Sequence, residues 1–245
     1  MLGQPNYTSD APDYPVPTGQ TYGSPTSSNL RGASGVASDG TILAVADTDN
    51  NRVLIWTSIP TSIDAPANIV LGQASFTQNT ALPPTSSSVR GPQGVWIQNG
   101  KLFVADTANN RVLIWNSIPT SNNQAADLVL GQQNFTTANA PAQRINPNTA
   151  ANQLYNPSSV SSDGTHLFVA DTGFNRVLIW NGIPSAMDQP ADVVVGQPLM
   201  STAVANWSST FCQSTGTDSN GHPTYPVSCA GTLSSPGFAL ADNQG

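Results

Sequence analysis

The chain repeats one motif three times, and this repetition constrains its fold more than any other feature. Val-Ala-Asp-Thr runs place aspartates at Asp47, Asp106 and Asp171, at spacings of 59 and 65 residues. Each aspartate is followed five residues later by an arginine that opens an Arg-Val-Leu-Ile-Trp run. Self-similarity at a period of this size is typical of solenoids, propellers and arrays.

Each unit is predicted to contain four short strands. In the middle unit these lie at 94–98, 101–105, 111–115 and 126–130. Asn99-Gly100 between the first two is typical of a tight hairpin turn, and Asp39-Gly40 and Asp163-Gly164 stand in the same place in the other units. The third strand, Val-Leu-Ile-Trp, is apolar on both faces, as a strand covered by sheets on both sides has to be.

Antiparallel units of four strands, repeated around an axis, form a β-propeller. A parallel β-helix is the competing architecture, but its rungs are shorter and lack the hairpins. Composition agrees with an all-β fold, because only 9% of the residues are charged, Glu is absent and Lys101 is the one lysine. Exposed helix surfaces normally use these long side chains.

The segment 102–115, Leu-Phe-Val-Ala-Asp-Thr-Ala-Asn-Asn-Arg-Val-Leu-Ile-Trp, resembles the NHL repeat, and the Pro-Gln-Gly-Val before the unit fits as well. The resemblance implies a propeller that is typically six-bladed. The longer unit of this chain, with Ile-Pro-Thr-Ser and Val-Leu-Gly-Gln, is similar to extracytoplasmic bacterial NHL proteins, many of which have no assigned activity.

We interpret residues 1–245 as a single partial propeller domain. Full blades are expected at 33–73, 91–132 and 156–197, partial blades at 1–4 and 235–245, and a long loop at 198–235. Leu2-Gly3-Gln4 aligns with Leu71-Gly72-Gln73, the end of a fourth strand. A closed ring needs about four to eight blades, so we expect an incomplete ring that further blades of the same polypeptide complete.

The repeated polar element Asp-x-x-x-Asn-Arg is predicted to be structural. The carboxylate that ends a strand can accept N–H groups of the following turn, and Asn tolerates the left-handed backbone of such a turn. The arginine can reach the same carboxylate or that of an adjacent blade. A functional role is the alternative, because these loops ring one face. The residues are Asp47, Asn51, Arg52, Asp106, Asn110, Arg111, Asp171, Asn175 and Arg176.

No catalytic residue, metal site or cofactor is predicted. The loop that starts at Asp47 resembles a calcium loop only in its first five positions, because Arg52 stands where that loop has Gly and Ser58 where it has Glu. His166 and His222 lie at no metal-ligand spacing from each other or from cysteine. Nucleophile elbows and phosphate-binding glycine loops are absent.

Charge and cysteine usage restrict partners and compartment. The net charge of -7, with no basic stripe, argues against nucleic acid. No apolar run approaches the length of about 18 residues that a membrane-spanning helix needs. Cys212 and Cys229 share one polar loop and are predicted to form a disulfide, which indicates an extracytoplasmic protein: secreted, periplasmic or at the cell surface. The alternative is two reduced cysteines in a cytosolic protein.

Long inter-blade segments are the candidate binding surface. They run over 73–91, 132–157 and 197–236, and loops beyond about 15 residues are usually functional or disordered. Tyr155, Trp207, Phe211 and Tyr225 are candidate anchors for a protein or glycan. Tyr7, Phe76 and Phe135 share one repeat position and are assigned to packing.

The predicted function is a non-enzymatic binding or scaffold propeller. One alternative is a metal-dependent propeller enzyme, either a lactonase-like hydrolase or an amidating-lyase-like protein, whose catalytic residues lie in further blades. Another is a purely structural spacer.

Overall fold

In a computed structural model, which describes residues 1–14, 18–19, 22–140 and 150–240, the repeated units form three antiparallel sheets of four strands. The first blade contains β1 (Ala33–Ser38), β2 (Leu43–Asp47), β3 (Arg52–Trp56) and β4 (Ile69–Leu71). The second contains β5 (Gly94–Gln98), β6 (Lys101–Asp106), β7 (Arg111–Trp115) and β8 (Leu128–Leu130). The third contains β9 (Pro157–Ser162), β10 (Leu167–Asp171), β11 (Arg176–Trp180) and β12 (Val193–Val195).

The predicted all-β propeller fold is confirmed, with small differences in strand bounds: the second strand of the second blade ends at Asp106, one residue later than expected. In every blade the strands pair in chain order, so each blade is a meander. The fourth strand of the second blade begins at Leu128 rather than at the expected Ala126. The Ala126 N–H bonds to the Ser86 carbonyl, 2.8 Å away and ahead of the first strand, instead of joining the sheet.

Only the second blade joins its first two strands by a two-residue turn, in which Asn99 (φ 50°) and Gly100 (φ 71°) both have positive φ. The other two blades use four residues, 39–42 and 163–166. In the first of these loops the Asp39 carboxylate accepts the N–H groups of Thr41 and Ile42, at 2.9 and 2.8 Å. The expectation of equivalent turns is therefore wrong, because the aspartate side chain bonds across a wider loop.

The blades pack face to face, and alternate residues of one strand contact opposite neighbours. In β7, Leu113 and Trp115 belong to the core shared with the first blade, whereas Val112 and Ile114 belong to the core shared with the third. All four side chains are at most 1% exposed. Burying a large apolar side chain contributes about 1.5–3 kcal/mol, so the doubly apolar strand stabilises both interfaces.

The antiparallel order puts all inter-blade segments at one end of the sheets. Each first strand starts, and each fourth strand ends, at the end where the second strand turns into the third. A 3-10 turn forms that connection at Thr48–Asn50, Thr107–Asn109 and Thr172–Phe174. We call this end, with its turns and the inter-blade segments, the loop face.

The segments before the first blade and after the third occupy repeat positions. Gly3 forms a parallel bridge with Asn29, as Gly72 does with Ser88. Thr172 Oγ1 donates to the Pro236 carbonyl at 2.6 Å, as Thr107 does to that of Pro157. Of the expected partial blade at 235–245, residues 241–245 lie outside the described residues, and 235–240 form no strand.

The expected long loop contains regular structure of its own. It holds a one-turn helix, α1 (Ser208–Phe211), and a short hairpin of β13 (Gly216–Thr217) and β14 (Pro223–Thr224). The predicted disulfide is confirmed, since Cys212 and Cys229 are bonded with their Cα atoms 5.7 Å apart. Within the described ranges, no helix has the length and apolar character needed to cross a bilayer.

Removing this disulfide should loosen the hairpin and leave the blades intact. Residues 213–228 are exposed apart from partly covered Thr224 and Pro226, so they add little to the blade cores. In the chain-entropy model, closing a loop of this length stabilises its folded form by about 3 kcal/mol, which the hairpin would lose. For a Cys212→Ser/Cys229→Ser variant we expect at least tenfold faster proteinase K cleavage within 213–228 and an almost unchanged thermal midpoint. A large decrease in the thermal midpoint would show that the disulfide also stabilises the blades.

Candidate functional site

Each blade carries a buried ion pair beneath the turn between its second and third strands. β2 ends at Asp47 and β3 begins at Arg52, and their antiparallel register places the two residues opposite each other. Arg52 Nε lies 2.6 Å from Asp47 Oδ2, and both side chains are fully buried. The corresponding distances are 2.7 Å for Arg111–Asp106 and Arg176–Asp171. The arginine thus pairs within its own blade.

The arginine also ties together the chain segments that enter and leave the blade. Besides Asp106, Arg111 donates to the carbonyls of Phe135 (2.6 Å), Ser88 (2.9 Å) and Thr85 (3.0 Å). Arg176 makes counterparts of all three carbonyl bonds. Arg52 makes two of them, to the carbonyls of Phe76 and Asn29. A guanidinium whose donors are occupied in this way holds these chain segments together.

The aspartate accepts a backbone bond from a different segment than expected. Asp106 Oδ1 accepts the Arg90 N–H, 2.7 Å away and 16 residues earlier in the chain, rather than an N–H of the following turn. The turn satisfies itself, because the Asn110 N–H bonds to the Thr107 carbonyl. Asp47 and Asp171 bind the N–H groups of Arg31 and Tyr155 in the same way.

The third blade has one donor fewer for its carboxylate. Asn109 donates to Asp106 Oδ2 at 2.9 Å, and Asn50 does the same for Asp47. Phe174 takes this position in the third blade and packs instead under the Arg176 guanidinium. Burial raises the pKa of the Asp106 carboxyl and raises that of Asp171 to about 6, with the paired arginines opposing this effect in both.

The remaining polar repeat residues link one blade to the next. Asn51 has a left-handed backbone (φ 51°), and its Oδ1 accepts the N–H of Gly91 in the second blade at 2.9 Å. Asn110 and Asn175 have the same backbone and bind the N–H groups of Asn156 and Ser235. The Thr107 hydroxyl donates to the Pro157 carbonyl of the next blade. The sequence analysis missed this contact, although a Thr follows the repeated Asp in every blade.

The first strands of the three blades line an open cavity of about 420 Å³ near the loop face. Its lining includes Ser34, Gln93, Trp96, Ser158 and Ser159, but no carboxylate or imidazole. The Trp96 indole N–H donates to the Ser162 carbonyl, and the Ser158 hydroxyl donates to the Gly237 carbonyl. Nowhere in the described part of the chain do three His, Cys, Asp or Glu side chains form a cluster suited to a metal ion. The serine hydroxyls and the indole N–H of this lining already have hydrogen-bond partners within the protein.

The four candidate aromatic anchors have different surroundings. Tyr155 is half-buried, its ring centroid 5.5 Å from that of Phe174. Trp207 is half-buried directly before α1. Phe211 and Tyr225 are 38% and 36% exposed, in α1 and directly after β14. The structure therefore leaves Phe211 and Tyr225 more accessible than the other two.

Exposed aromatics that the sequence analysis did not propose as anchors lie in the 5–32 segment and at Phe238, which is 66% exposed. Tyr7 is 78% exposed and Tyr22 is 48% exposed, with the Arg31 guanidinium 4.4 Å from the Tyr22 ring centroid. The assignment of Tyr7 to packing is wrong. Phe76 and Phe135 pack on the sheet that precedes each of them, whereas no described sheet precedes Tyr7.

Comparison with known proteins gives distant structural likeness. No protein-family model and no curated protein matches the chain. It is similar to glutaminyl cyclase of Myxococcus xanthus (12% identity, 62% of this chain and 49% of that chain, TM-score 0.36). It is also similar to hydrazine synthase of Kuenenia stuttgartiensis (13%, 64% and 34%, 0.39) and virginiamycin B lyase of Staphylococcus aureus (12%, 70% and 58%, 0.30).

The chain spans less than two thirds of the length of each of these proteins. The β-propeller assignment rests on the three repeated sheets of the chain itself and on the contacts between them.

Proposed function

We propose that this chain is part of an NHL-type propeller that acts outside the cytoplasm as a binding platform and contacts a protein or glycan through its loop face. The observation that carries this proposal is that aromatic side chains outside the blades are exposed, whereas the tryptophans of the third strands are buried. Trp56, Trp115 and Trp180 are at most 2% exposed. Tyr22, Phe211 and Tyr225, which lie outside the blades, are 48%, 38% and 36% exposed.

The chemistry of the loop face supports recognition of a neutral or polar partner. Exposed tyrosines offer a rigid apolar ring and a hydroxyl at low entropy cost, a combination enriched at binding surfaces. Serine, threonine and asparagine surround them in the inter-blade segments. The repeated Asp and Arg side chains are buried in ion pairs. Uncharged groups are therefore the main source of contacts with a partner at the loop face.

Two further observations support the family and the compartment. The NHL assignment is supported by the three copies of Val-Ala-Asp-Thr followed by Asn-Arg-Val-Leu-Ile-Trp. The disulfide indicates an oxidising environment, from which we infer a secreted, periplasmic or cell-surface protein. No observation on the described residues favours the metal-dependent enzyme over binding.

The experiment is a screen of the purified chain on an immobilised glycan array and on an array of extracellular-matrix proteins, followed by interferometry with the strongest hit. We expect Tyr22→Ala and Tyr225→Ala each to weaken binding about tenfold or more, as at interface hot spots. Ile59→Ala is the matched control, because Ile59 is 43% exposed but follows β3 at the end opposite the loop face.

Equal losses in the control and in the tyrosine variants would contradict the loop face as the binding surface. A hit whose affinity neither tyrosine affects would contradict it as well.

A further inference from the structure

A polar cleft lies between the second and third blades, where the segment that leaves β8 passes the lead-in to β9. Its volume is about 160 Å³. Of the described residues, those that line it are Gly131, five with amide side chains, Thr137 and Asp188, and none has an apolar side chain. The cleft therefore offers groups for hydrogen bonding and no surface for an apolar ligand.

Hydrogen bonds within the protein hold both walls of this cleft in place. On one wall, the Gln132 side-chain amide donates to the Asn139 carbonyl and accepts the Asn139 N–H, both at 3.1 Å. On the other, the Asp188 N–H donates to the Val129 carbonyl at 2.8 Å. A ligand meets groups that are already positioned, which reduces the entropy lost on binding.

Three side-chain atoms at the cleft have no hydrogen-bond partner in the part of the chain that the structure describes. Asn152 Nδ2 donates to Asp188 Oδ2 at 2.9 Å, which leaves Asn152 Oδ1 and Asp188 Oδ1 without a donor. Gln153 Oε1 accepts the Ala150 N–H, which leaves Gln153 Nε2 without an acceptor. Burial raises the pKa of the Asp188 carboxyl, with the Asn152 bond opposing this effect. The cleft thus presents two acceptors and one donor.

The pair of Asn152 and Asp188 is specific to this contact between blades. Ser87 and Asn123 stand at the equivalent positions, 65 residues earlier, between the first and second blades. Asn123 has the same positive φ as Asp188, 53° against 54°, and its N–H also bonds to the outer strand of the preceding blade. The turn therefore forms without a carboxylate, and the Asp188 carboxylate is not needed for the fold.

Neighbouring hydroxyl groups match this set of atoms. Each hydroxyl can donate to a carboxylate or amide oxygen and accept from an amide N–H. The Asp188 charge and the net charge of -7 disfavour ligands that carry phosphate, sulfate or carboxylate groups. The cleft is smaller than the pockets of roughly 300–1,000 Å³ that enclose drug-sized ligands, so it admits only a small unit. A single neutral sugar residue has this chemistry and this size.

We propose that the cleft binds one neutral sugar residue of a glycan. Its hydroxyls donate to Asp188 Oδ1 and Asn152 Oδ1 and accept from Gln153 Nε2. This inference rests on the proposed function and deepens it, because it selects a glycan rather than a protein as the partner and gives the glycan a subsite on the loop face.

Calorimetric titration of the 245-residue chain with the methyl glycosides of glucose, galactose, mannose and N-acetylglucosamine tests the proposal. We expect at least one of them to bind, and Asp188→Asn to weaken its binding about tenfold, because hydrogen bonds to a charged acceptor are roughly twice as strong as those to a neutral one. The variant should keep its fold, since Asn123 occupies the same kind of turn. Asp64→Asn is the matched control, because Asp64 has the same positive φ (55°) in the first blade and does not line the cleft.

Binding of none of these glycosides would overturn the proposal, as would equal affinities of the Asp188→Asn and Asp64→Asn variants. Tighter binding of methyl glucuronide than of methyl glucoside would overturn it as well. Binding that requires Asp188 but is unchanged in Tyr22→Ala and Tyr225→Ala would support the cleft and contradict the tyrosine surface. An array hit that loses affinity in the tyrosine variants but not in Asp188→Asn would overturn the cleft and leave the proposed function standing.

Discussion

Replacing Arg111 by alanine is expected to lower the free energy of unfolding by about 4 kcal/mol, the range seen when one partner of a buried ion pair is removed. The Asp106 carboxylate would remain fully buried without its countercharge, and the carbonyls of Phe135, Ser88 and Thr85 would lose their donor. Urea unfolding followed by tryptophan fluorescence measures the loss.

Two controls separate the buried pair from a general effect of charge. Arg90 is exposed, and only its backbone N–H contacts Asp106, so Arg90→Ala should change stability by less than about 0.5 kcal/mol. The double variant Asp106→Leu/Arg111→Met should lose less than Arg111→Ala, because it leaves no unpaired buried charge. If Arg111→Ala lowered the free energy of unfolding no more than Arg90→Ala, the buried ion pair would have no structural role.

Replacing Gly94 by alanine should destabilise the contact between the second and third blades by about 2 kcal/mol, the usual cost of overpacking. A Cβ at this position would lie 2.8 Å from the Ser159 Cα and 3.0 Å from the Ser158 carbonyl oxygen, both backbone atoms of the next blade. Since backbone cannot rotate away, the blades must separate. The measurement is the shift of the urea midpoint.

Gly182 provides the matched control for this substitution. A Cβ at Gly182 would have no neighbour within 4 Å, and its φ is not in the positive range. Gly182→Ala should therefore be neutral or slightly stabilising. Equal effects of the two substitutions would show that the first strands of neighbouring blades do not approach each other as the structure indicates.

The blades could be predicted from the sequence because each contains the same short sequence patterns. Apolar residues on both faces of Arg-Val-Leu-Ile-Trp indicated sheets packed on both sides, and Asn99-Gly100 indicated the hairpin of the second blade. The hairpins at Asp39 and Asp163 are present, but their four-residue loops were not predicted, because the Asp side chain widens the loop by accepting two N–H groups. Asn-Gly and Asp-Gly pairs at the same repeat position thus form different turns.

The loop face could be predicted less well, because its inter-blade segments differ in length and its contacts join residues that are far apart in the chain. Asp106 binds an N–H that lies 16 residues earlier in the chain, and no local pattern identifies such a partner. Exposure was equally inaccessible: Tyr7 shares a repeat position with Phe76 and Phe135, yet it lies open because no described sheet precedes it. Tyr155 was predicted to be an anchor for a partner, but its ring packs against that of Phe174.

Hydrogen exchange followed by mass spectrometry tests whether three packed blades present an open loop face. We expect strong protection of the buried third strands β3, β7 and β11, with opening free energies near that of global unfolding. Amides of the exposed hairpin region 213–228 should exchange within seconds to minutes. Exchange in any of the three strands as fast as in 213–228 would show that the blades are not packed on each other as the structure indicates.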